Sequence, residues 1–452
     1  MATVASVEAL AERTMRKIRW RILPLVFVIY LVAFLDRANV AYAKLTMSAD
    51  LGFSEAVYGF GAGVFFVGYL LLEIPGALIV QRWGARRWIA RIMVSWGLCA
   101  ALVGLIKTPN QFYVTRFFLG LAEAGLVPGV LVYLNQWFPK LYRAGAMARF
   151  FMASPIALVI GGPIAGLILK FNWLGKPGWR WVFILEAVPA IVLGIVTFFI
   201  MTDRPEQATW LEPEEREWMR NELEIEKRQK ASLGKVGVWQ AMRQRNVLIL
   251  ASMTFLSNIG IAGFFLWLPT TVQKASGLPP YLAATISGLP FAVAVASQLS
   301  FSWSSDRTGE RYLHTAVPLI MAGLIFPITT LPGLSFGWLL FWLCASSVAI
   351  YGYGPSYWVL PSLTLGEAAA ATAFGFVNIG SGMGGFVGPA VVGKMLTVGY
   401  RFSVVVFLLS LTFIAAGTLT FALDRGAPRN SAQAPSQGGN ETPSSSNKRL
   451  AT

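Results

Sequence analysis

Charge is scarce in this 452-residue chain: Asp, Glu, Lys and Arg make up 13% of it, about half the share of a soluble globular protein. Cysteine and histidine are nearly absent, at two and one. Cys99 and Cys344 lie inside apolar runs with no paired spacing, which excludes a disulfide framework or a zinc-ribbon site and leaves them as small buried hydrophobes. His314, alone at a loop edge, cannot assemble a metal centre or a nucleophile–base pair. No Walker A and no G-x-S-x-G sequence occurs, so neither P-loop nucleotide hydrolysis nor a hydrolase elbow is available. Gly380-Ser381-Gly382-Met383-Gly384-Gly385 has dinucleotide-loop spacing, but it sits within an apolar run and lacks the strand–turn–helix setting. Close helix packing explains it better, as it does Gly59, Gly61 and Gly63. No enzyme, cofactor or metal is expected.

What the chain does have is hydrophobic length. Apolar residues make up 55% of it, in runs of about 20, each able to cross a hydrocarbon core of ~30 Å. In lipid a backbone must satisfy its own polar groups, so such runs are helices or barrel strands. Strands would alternate over about ten residues; these runs are longer and continuous, so an all-α membrane protein is expected. Runs begin near Ile22, Val57, Trp88, Gln111, Ala144, Trp181, Val247, Leu282, Leu313, Phe336, Ala368 and Phe402, predicting twelve spans. The net charge of +15 is no nucleic-acid signal, because the basic residues sit in short loops rather than on one face. They concentrate in the N-terminal segment, in alternate loops such as Arg82-to-Arg91 and Arg307-to-Arg311, and in the tail, which predicts both termini in the cytoplasm. Residues 1–21 are polar and basic with no small-residue cleavage site, so no cleavable signal peptide is expected. The expected organisation is a cytoplasmic segment over 1–21, a six-helix bundle over 22–202, a cytoplasmic linker with a surface helix over 203–245, a second bundle over 246–424, and a disordered cytoplasmic tail over 425–452.

An internal repeat relates the bundles. Gly84 and Gly309, Gly162-Pro163 and Gly388-Pro389, and Pro128 and Pro355 are separated by 225, 226 and 227 residues. Parallel six-helix halves place a substrate path at their interface near the bilayer midplane. Asp36-Arg37 lies about 21 Å into the first span at 1.5 Å per residue. Arg116 and Glu123 share a face of the fourth, because seven steps of about 100° nearly close two turns. Charges at membrane depth face a cavity or a partner. These four therefore form either a polar cavity or two ion pairs, Asp36 with Arg116 and Arg37 with Glu123, and both can hold in one transport cycle. Their repeat counterparts, Ala262, Gly263, Trp342 and Ala349, are uncharged. The second half offers Asn258, Gln298, Tyr351, Tyr353, Tyr357, Trp358, Asn378 and Ser381 instead. The first half is thus expected to handle charge and the second to read shape. With both acids ionised the four groups sum to zero; with both protonated they sum to +2, and an anion then binds. Glu73 and Glu186, within apolar spans, are read as structurally paired.

These pieces resemble the major facilitator superfamily. Asp306-Arg307-Thr308-Gly309-Glu310-Arg311 is similar to its signature loop; the first-half counterpart around Arg82 and Gly84 departs from it, with Gln81 where an Asp is usual. Leu35-Asp36-Arg37-Ala38-Asn39-Val40, Arg116-Phe117-Phe118-Leu119-Gly120-Leu121-Ala122-Glu123-Ala124-Gly125, Asn135-Gln136-Trp137-Phe138-Pro139, Asp203-Arg204-Pro205-Glu206 and Gly385-Phe386-Val387-Gly388-Pro389 resemble the anion:cation symporter family. Gly84-Ala85-Arg86-Arg87-Trp88 is most like its tartrate, phthalate and 4-hydroxyphenylacetate permease branch. The resemblance implies a two-bundle fold, with Arg37 and Arg116 on a substrate carboxylate and Asp36 and Glu123 exchanging protons. It further implies that Tyr69, Ser154 and Asn378 line the cavity, and that Arg82, Gly84, Asp306, Arg307, Gly309 and Arg311 form gating loops. Tyr357 and Trp358 are added as ring contacts to the substrate. The expected activity is proton-coupled uptake of a small organic carboxylate by a monomer in a bacterial inner membrane. Sodium coupling, proton-driven efflux and a non-transporting nutrient sensor are the rival readings. Gly161-Gly162-Pro163 with Gly166 partly resembles an antiporter motif, with Leu158 and Leu167 replacing its outer glycines.

Overall fold

The computed structural model describes residues 4–231, 242–364 and 367–424. The predicted tail over 425–452 and the linker stretch 232–241 lie outside the described residues. The first half comprises α1 (Val4–Leu51), α2 (Glu55–Trp83), α3 (Ala85–Val103), α4 (Pro109–Glu123) with α5 (Leu126–Trp137), α6 (Lys140–Phe151) with α7 (Ala153–Leu169), and α8 (Gly178–Ile200). After the linker helix α9 (Pro213–Ala231), the second half has α10 (Arg245–Ser276), α11 (Pro280–Ile286) with α12 (Gly288–Thr308), and α13 (Tyr312–Ile325). It continues through α14 (Phe336–Gly352) with α15 (Gly354–Tyr357), the short α16 (Leu360–Thr364), α17 (Glu367–Val398) and α18 (Phe402–Leu419).

Among the described residues, eleven helical stretches are long and apolar enough to cross a membrane. The remaining crossing is α3, whose first two turns carry Arg86, Arg87 and Arg91 and so dilute an otherwise apolar helix. It packs along α8 and α4. Polar caps set the starts where the sequence offers them. Ser54 Oγ accepts the Val57 N–H at 3.2 Å, and Thr108, ahead of Pro109, accepts that of Gln111 at 3.3 Å.

The fourth and tenth spans break at equivalent places. Ala124 is extended and Gly125 adopts φ 85°, ψ 0° between α4 and α5; α14 stops at Gly352, and α15 begins at Gly354 next to Pro355. The chain reversals at Gly84 (φ 84°) and Gly309 (φ 68°) match likewise, at a φ that a side chain disfavours. The repeat read from sequence is thus a repeat of backbone geometry.

The halves meet along two lines, α2 against α17 and α7 against α11 and α12, with α1 also touching α10. Glycines make the approach possible. A Cβ on Gly59 would meet the Pro389 carbonyl, on Gly63 that of Phe386, on Gly393 that of Glu55, and on Gly162 that of Ala284. Gly382 and Gly385 abut Leu70 and Phe66, which accords with a packing role for that glycine run. The contacts of Gly59 and Gly393 lie toward the end bearing Gly52. At that end Lys44 Nζ pairs with Glu55 Oε2 at 2.7 Å, between the rings of Tyr58 and Trp267 at 4.3 and 4.4 Å. Trp267 Nε1, from the second half, donates to the same Glu55 oxygen at 2.9 Å.

At the opposite end the linker is tied to the first half. Trp210 stacks on Trp137 at 5.4 Å, and Arg143 Nη2 donates to Glu226 Oε2 at 2.8 Å. The fully buried Glu215 carboxylate accepts Arg13 at 3.1 Å and Lys17 at 2.9 Å. It also accepts the N–H of Glu212 at 3.0 Å, as an acid in the first turn of a helix does. Burial alone would raise the Glu215 carboxyl, but the Glu212 N–H, Lys17 and Arg13 hold it below the ordinary range.

Two outcomes follow. Gly162→Val should destabilise the packed arrangement by about 1–3 kcal/mol through overpacking, read as a lower melting temperature and a greater spin-label distance between α7 and α11. Because the folded Glu215 value is depressed, its contribution is present above pH ~4.3 and is lost as pH falls through the folded value. Glu215→Ala should therefore lower thermal stability at pH 7 by about 1 kcal/mol, with the deficit from wild type shrinking below pH ~4.3.

Candidate functional site

The four charged residues of the first and fourth spans converge inside the first half. Asp36, Arg116 and Glu123 are 1%, 2% and 0% exposed, while the Arg37 side chain keeps 21% of its surface. Of the two ion pairs read from sequence, one forms. Arg37 Nε and Nη2 both lie 2.7 Å from Glu123 Oε1, joining α1 to α4. Asp36 and Arg116 make no ion pair. Asp36 Oδ1 instead accepts Asn39 Nδ2 at 3.1 Å, and Asp36 Oδ2 is sealed from water without a partner. Asn39 is a helical neighbour of Asp36 one turn on, but Asp36 Oδ2 stays open as well, so the pair is absent because the two side chains do not come within ion-pair reach.

Arg116 is left with Nε and Nη1 buried and unsatisfied. Its guanidinium lies 4.9 Å from the Phe65 ring, which also flanks Arg37 at 5.7 Å. Phe34 at 5.3 Å and Tyr69 at 4.8 Å complete an aromatic collar around Arg37. The collar favours a cation on each ring face and separates two like charges with apolar matter. Buried unsatisfied donors are costly, about 1–3 kcal/mol each and more for charged groups. Arg116 carries two of them, as Arg91 does, but Arg116 lies deep in the fourth span beside the other three charges.

The other sequence-predicted residues are distributed unevenly. Tyr69 joins the cluster. Asn378 Nδ2, on α17, donates to Glu73 Oε1, on α2, in a short hydrogen bond between the halves. Ser154 Oγ donates to the Phe151 carbonyl of the preceding turn at 3.0 Å. The Tyr357 hydroxyl is buried against Thr254 Oγ1 and donates to the Leu250 carbonyl at 2.7 Å. Trp358 is 41% exposed and stacks on Phe374 at 6.0 Å. In the second-half loop Arg311 Nη2 binds Asp306 Oδ1 at 2.7 Å and Nη1 donates to Ser305 Oγ at 2.8 Å, while Arg307 lies over the Trp303 ring at 5.4 Å. The first-half loop, where Arg82 is exposed, receives its acid from outside. Asp203 Oδ1 accepts the Arg86 N–H at 2.8 Å, and a Cβ on Gly84 would strike that carboxylate. A carboxylate at the first turn of α3 also suits the helix dipole. The side chain of Gln81 lies outside the described residues.

Sequence reasoning missed Phe65, Asp203 and Glu73 as neighbours of functional groups. The spacing of Phe65, Tyr69 and Glu73, four residues apart on one helix, carried a usable signal. Glu186 on α8 is also buried, with Oε2 sealed and unpartnered.

Because Arg37 and Glu123 are buried together, losing one strands the other. Glu123→Leu should cost about 3–5 kcal/mol, whereas Arg37→Met with Glu123→Leu should recover most of it. Thermal melting of the three variants in detergent checks this cycle.

Comparison with known proteins agrees with this architecture. The chain is 38% identical over 424 residues to a protein of Agrobacterium vitis named "Putative tartrate transporter", covering 93% of this chain and 97% of that one. It is 34% identical over 383 residues to the inner membrane transport protein RhmT of Escherichia coli strain K12, covering 84% and 88%. Against a quinolone resistance transporter of Acinetobacter baumannii it is 32% identical over 413 residues, covering 90% and 94%. Among solved structures, a bacterial homologue of the human lysosomal transporter Spinster, inward-facing and occupied, superposes with TM-score 0.74 at 16% identity, covering 91% of this chain and 99% of that one. A D-xylose–proton symporter superposes with TM-score 0.72 at 14% identity, covering 89% and 97%. The Major Facilitator Superfamily profile matches residues 26–389, and with twelve helices in two repeated halves around a buried charge cluster, this multi-pass membrane chain belongs to that superfamily of transporters.

Proposed function

We propose that the chain takes up a small organic carboxylate together with protons, by alternating access, as a monomer in a bacterial inner membrane. The observation that carries the reading is Arg116, a fully charged guanidinium with two buried donors unsatisfied, next to an Arg37 that a single acid holds. A carboxylate is a planar acceptor matched to that fork. Tartrate, a sugar acid or an aromatic acid all fit this chemistry, and the name of the Agrobacterium vitis relative points the same way.

Coupling follows from charge balance. Protonation of Glu123 releases Arg37, and protonation of Asp36 removes the only acid near Arg116 on α1. Each proton taken up raises the affinity for an anion, and each anion bound raises the affinity for protons. Carrying one anion inward against an inside-negative potential costs ~2.3 kcal/mol per 100 mV; two accompanying protons reverse the sign. Tartrate, aldonates, phthalate and hydroxyphenylacetate form the natural test panel.

Efflux is a second reading, favoured by the relative named for quinolone resistance. The direction of flux in proteoliposomes under an imposed proton gradient separates the two. Arg116→Ala should reduce carboxylate uptake at least 100-fold, because a charged hydrogen-bond partner is worth about 1.5–3 kcal/mol per bond, while leaving membrane insertion intact. Anion affinity in the wild type should rise as pH falls. Preserved uptake in Arg116→Ala, or binding independent of pH, would overturn the assignment.

A further inference from the structure

The charge cluster has an acidic neighbour that the proposed coupling does not use. Tyr69 and Glu73 lie one turn apart on α2 and share a face. The Tyr69 ring flanks Arg37 at 4.8 Å, and Glu73 Oε1 accepts a hydrogen bond from Asn378 Nδ2 of the second half. Glu73 Oε2 differs from the other buried acid oxygens. Asp36 Oδ2, Glu123 Oε2 and Glu186 Oε2 are sealed and unpartnered; Glu73 Oε2 has no hydrogen-bond partner among the described residues and is not sealed. The Arg37 side chain likewise keeps 21% of its surface. A guanidinium and a carboxylate therefore both neighbour Tyr69, the first against its ring and the second one turn along the same face of α2.

We propose that Glu73 sets the substrate class: it accepts a hydrogen bond from a donor, a hydroxyl or a protonated amine, at the end of the substrate away from its carboxylate, and it rejects a second carboxylate there. The inference rests on the carboxylate reading of the Arg37 and Arg116 site and adds a polarity to it. An ionised carboxyl only accepts hydrogen bonds, and Asn378 already commits one of its two N–H donors to Glu73. A carboxylate arriving at the same place meets like charge, with the second Asn378 N–H as its one offset, whereas a hydroxyl or ammonium satisfies the open oxygen. Rejection of this kind discriminates more strongly than apolar shape does. A polyhydroxy monocarboxylate is thus favoured over a dicarboxylate of equal length, which narrows the carboxylates named above to sugar acids and hydroxylated aromatic acids and sets the dicarboxylates tartrate and phthalate aside. A role confined to holding α2 against α17 would instead shift the balance between conformations and change the affinity of every ligand by the same factor.

Calorimetric titration of the full chain in nanodiscs at pH 7 decides between these. The ligands are an aldonate, an ω-amino carboxylate and a dicarboxylate of matched chain length, tested on wild type, Glu73→Gln and Glu73→Asp. Glu73→Gln keeps an oxygen for Asn378 and removes the charge. The wild type should prefer the donor-bearing ligands, and Glu73→Gln should shrink that preference by about 10- to 100-fold. Glu73→Asp, still anionic, should keep the ranking. Whichever of the aldonate and the amino acid loses more in Glu73→Gln names the donor. An unchanged ratio in Glu73→Gln, with Arg116→Ala still abolishing binding of all three, overturns the inference and leaves the carboxylate site standing. Ligands that bind equally well in Arg116→Ala overturn the carboxylate reading, and the inference with it.

Discussion

A charge buried in a hydrocarbon-spanning helix must find a partner, face water or be neutralised, and the first half is organised around that demand. Arg37 and Glu123 satisfy it by pairing across α1 and α4. Phe65 fills the space between Arg37 and Arg116, so two guanidinium groups coexist without touching. Arg116, which makes no ion pair, is what remains. Under the proposed function this imbalance is what an anionic substrate would meet, and protons on the neighbouring acids would enlarge it.

The second half meets its own polar groups differently. Tyr357 bonds to Thr254 and Leu250, and Tyr353 donates to Ser257 Oγ at 3.1 Å. These bonds run from α15 and the residue before it to α10 and stay within the half. The division expected from sequence, with charge in the first half and uncharged polar groups in the second, holds as a division of residue types. Several of the second half's hydroxyls are nevertheless committed to its own packing, while Asn378 reaches across to Glu73 of the first half.

The spans, the repeat and the pairing of Arg37 with Glu123 were legible because each rests on a local rule: apolar length, glycine and proline at fixed spacing, and helical periodicity. Asp36 with Arg116 was not, since whether two charges on different spans come within reach depends on how the spans pack, which helical periodicity does not encode. The breaks after Glu123 and at Tyr353 were signalled only by nearby Gly and Pro, which are common in membrane helices. The Asp203 contact to Arg86 joins residues 117 apart, and no periodicity within one span encodes it. Glu73 was visible as a charge in an apolar run, but its direction depends on how α2 meets α17, which only the fold supplies.

Where the halves meet, the approach is backbone to backbone, with Gly59 on Pro389, Gly393 on Glu55 and Gly162 on Ala284. Within each half, large side chains such as Trp96, Trp137 and Phe183 are fully enclosed, and no helix can leave without tearing rotamers from their sockets. Along the seam fewer side chains interlock, Leu70, Phe66 and Phe386 among them. Under the proposed alternating access the halves would part mainly between glycine-lined backbones, and the barrier would fall on those side chains and on polar clasps such as Glu55 with Trp267 and Glu73 with Asn378.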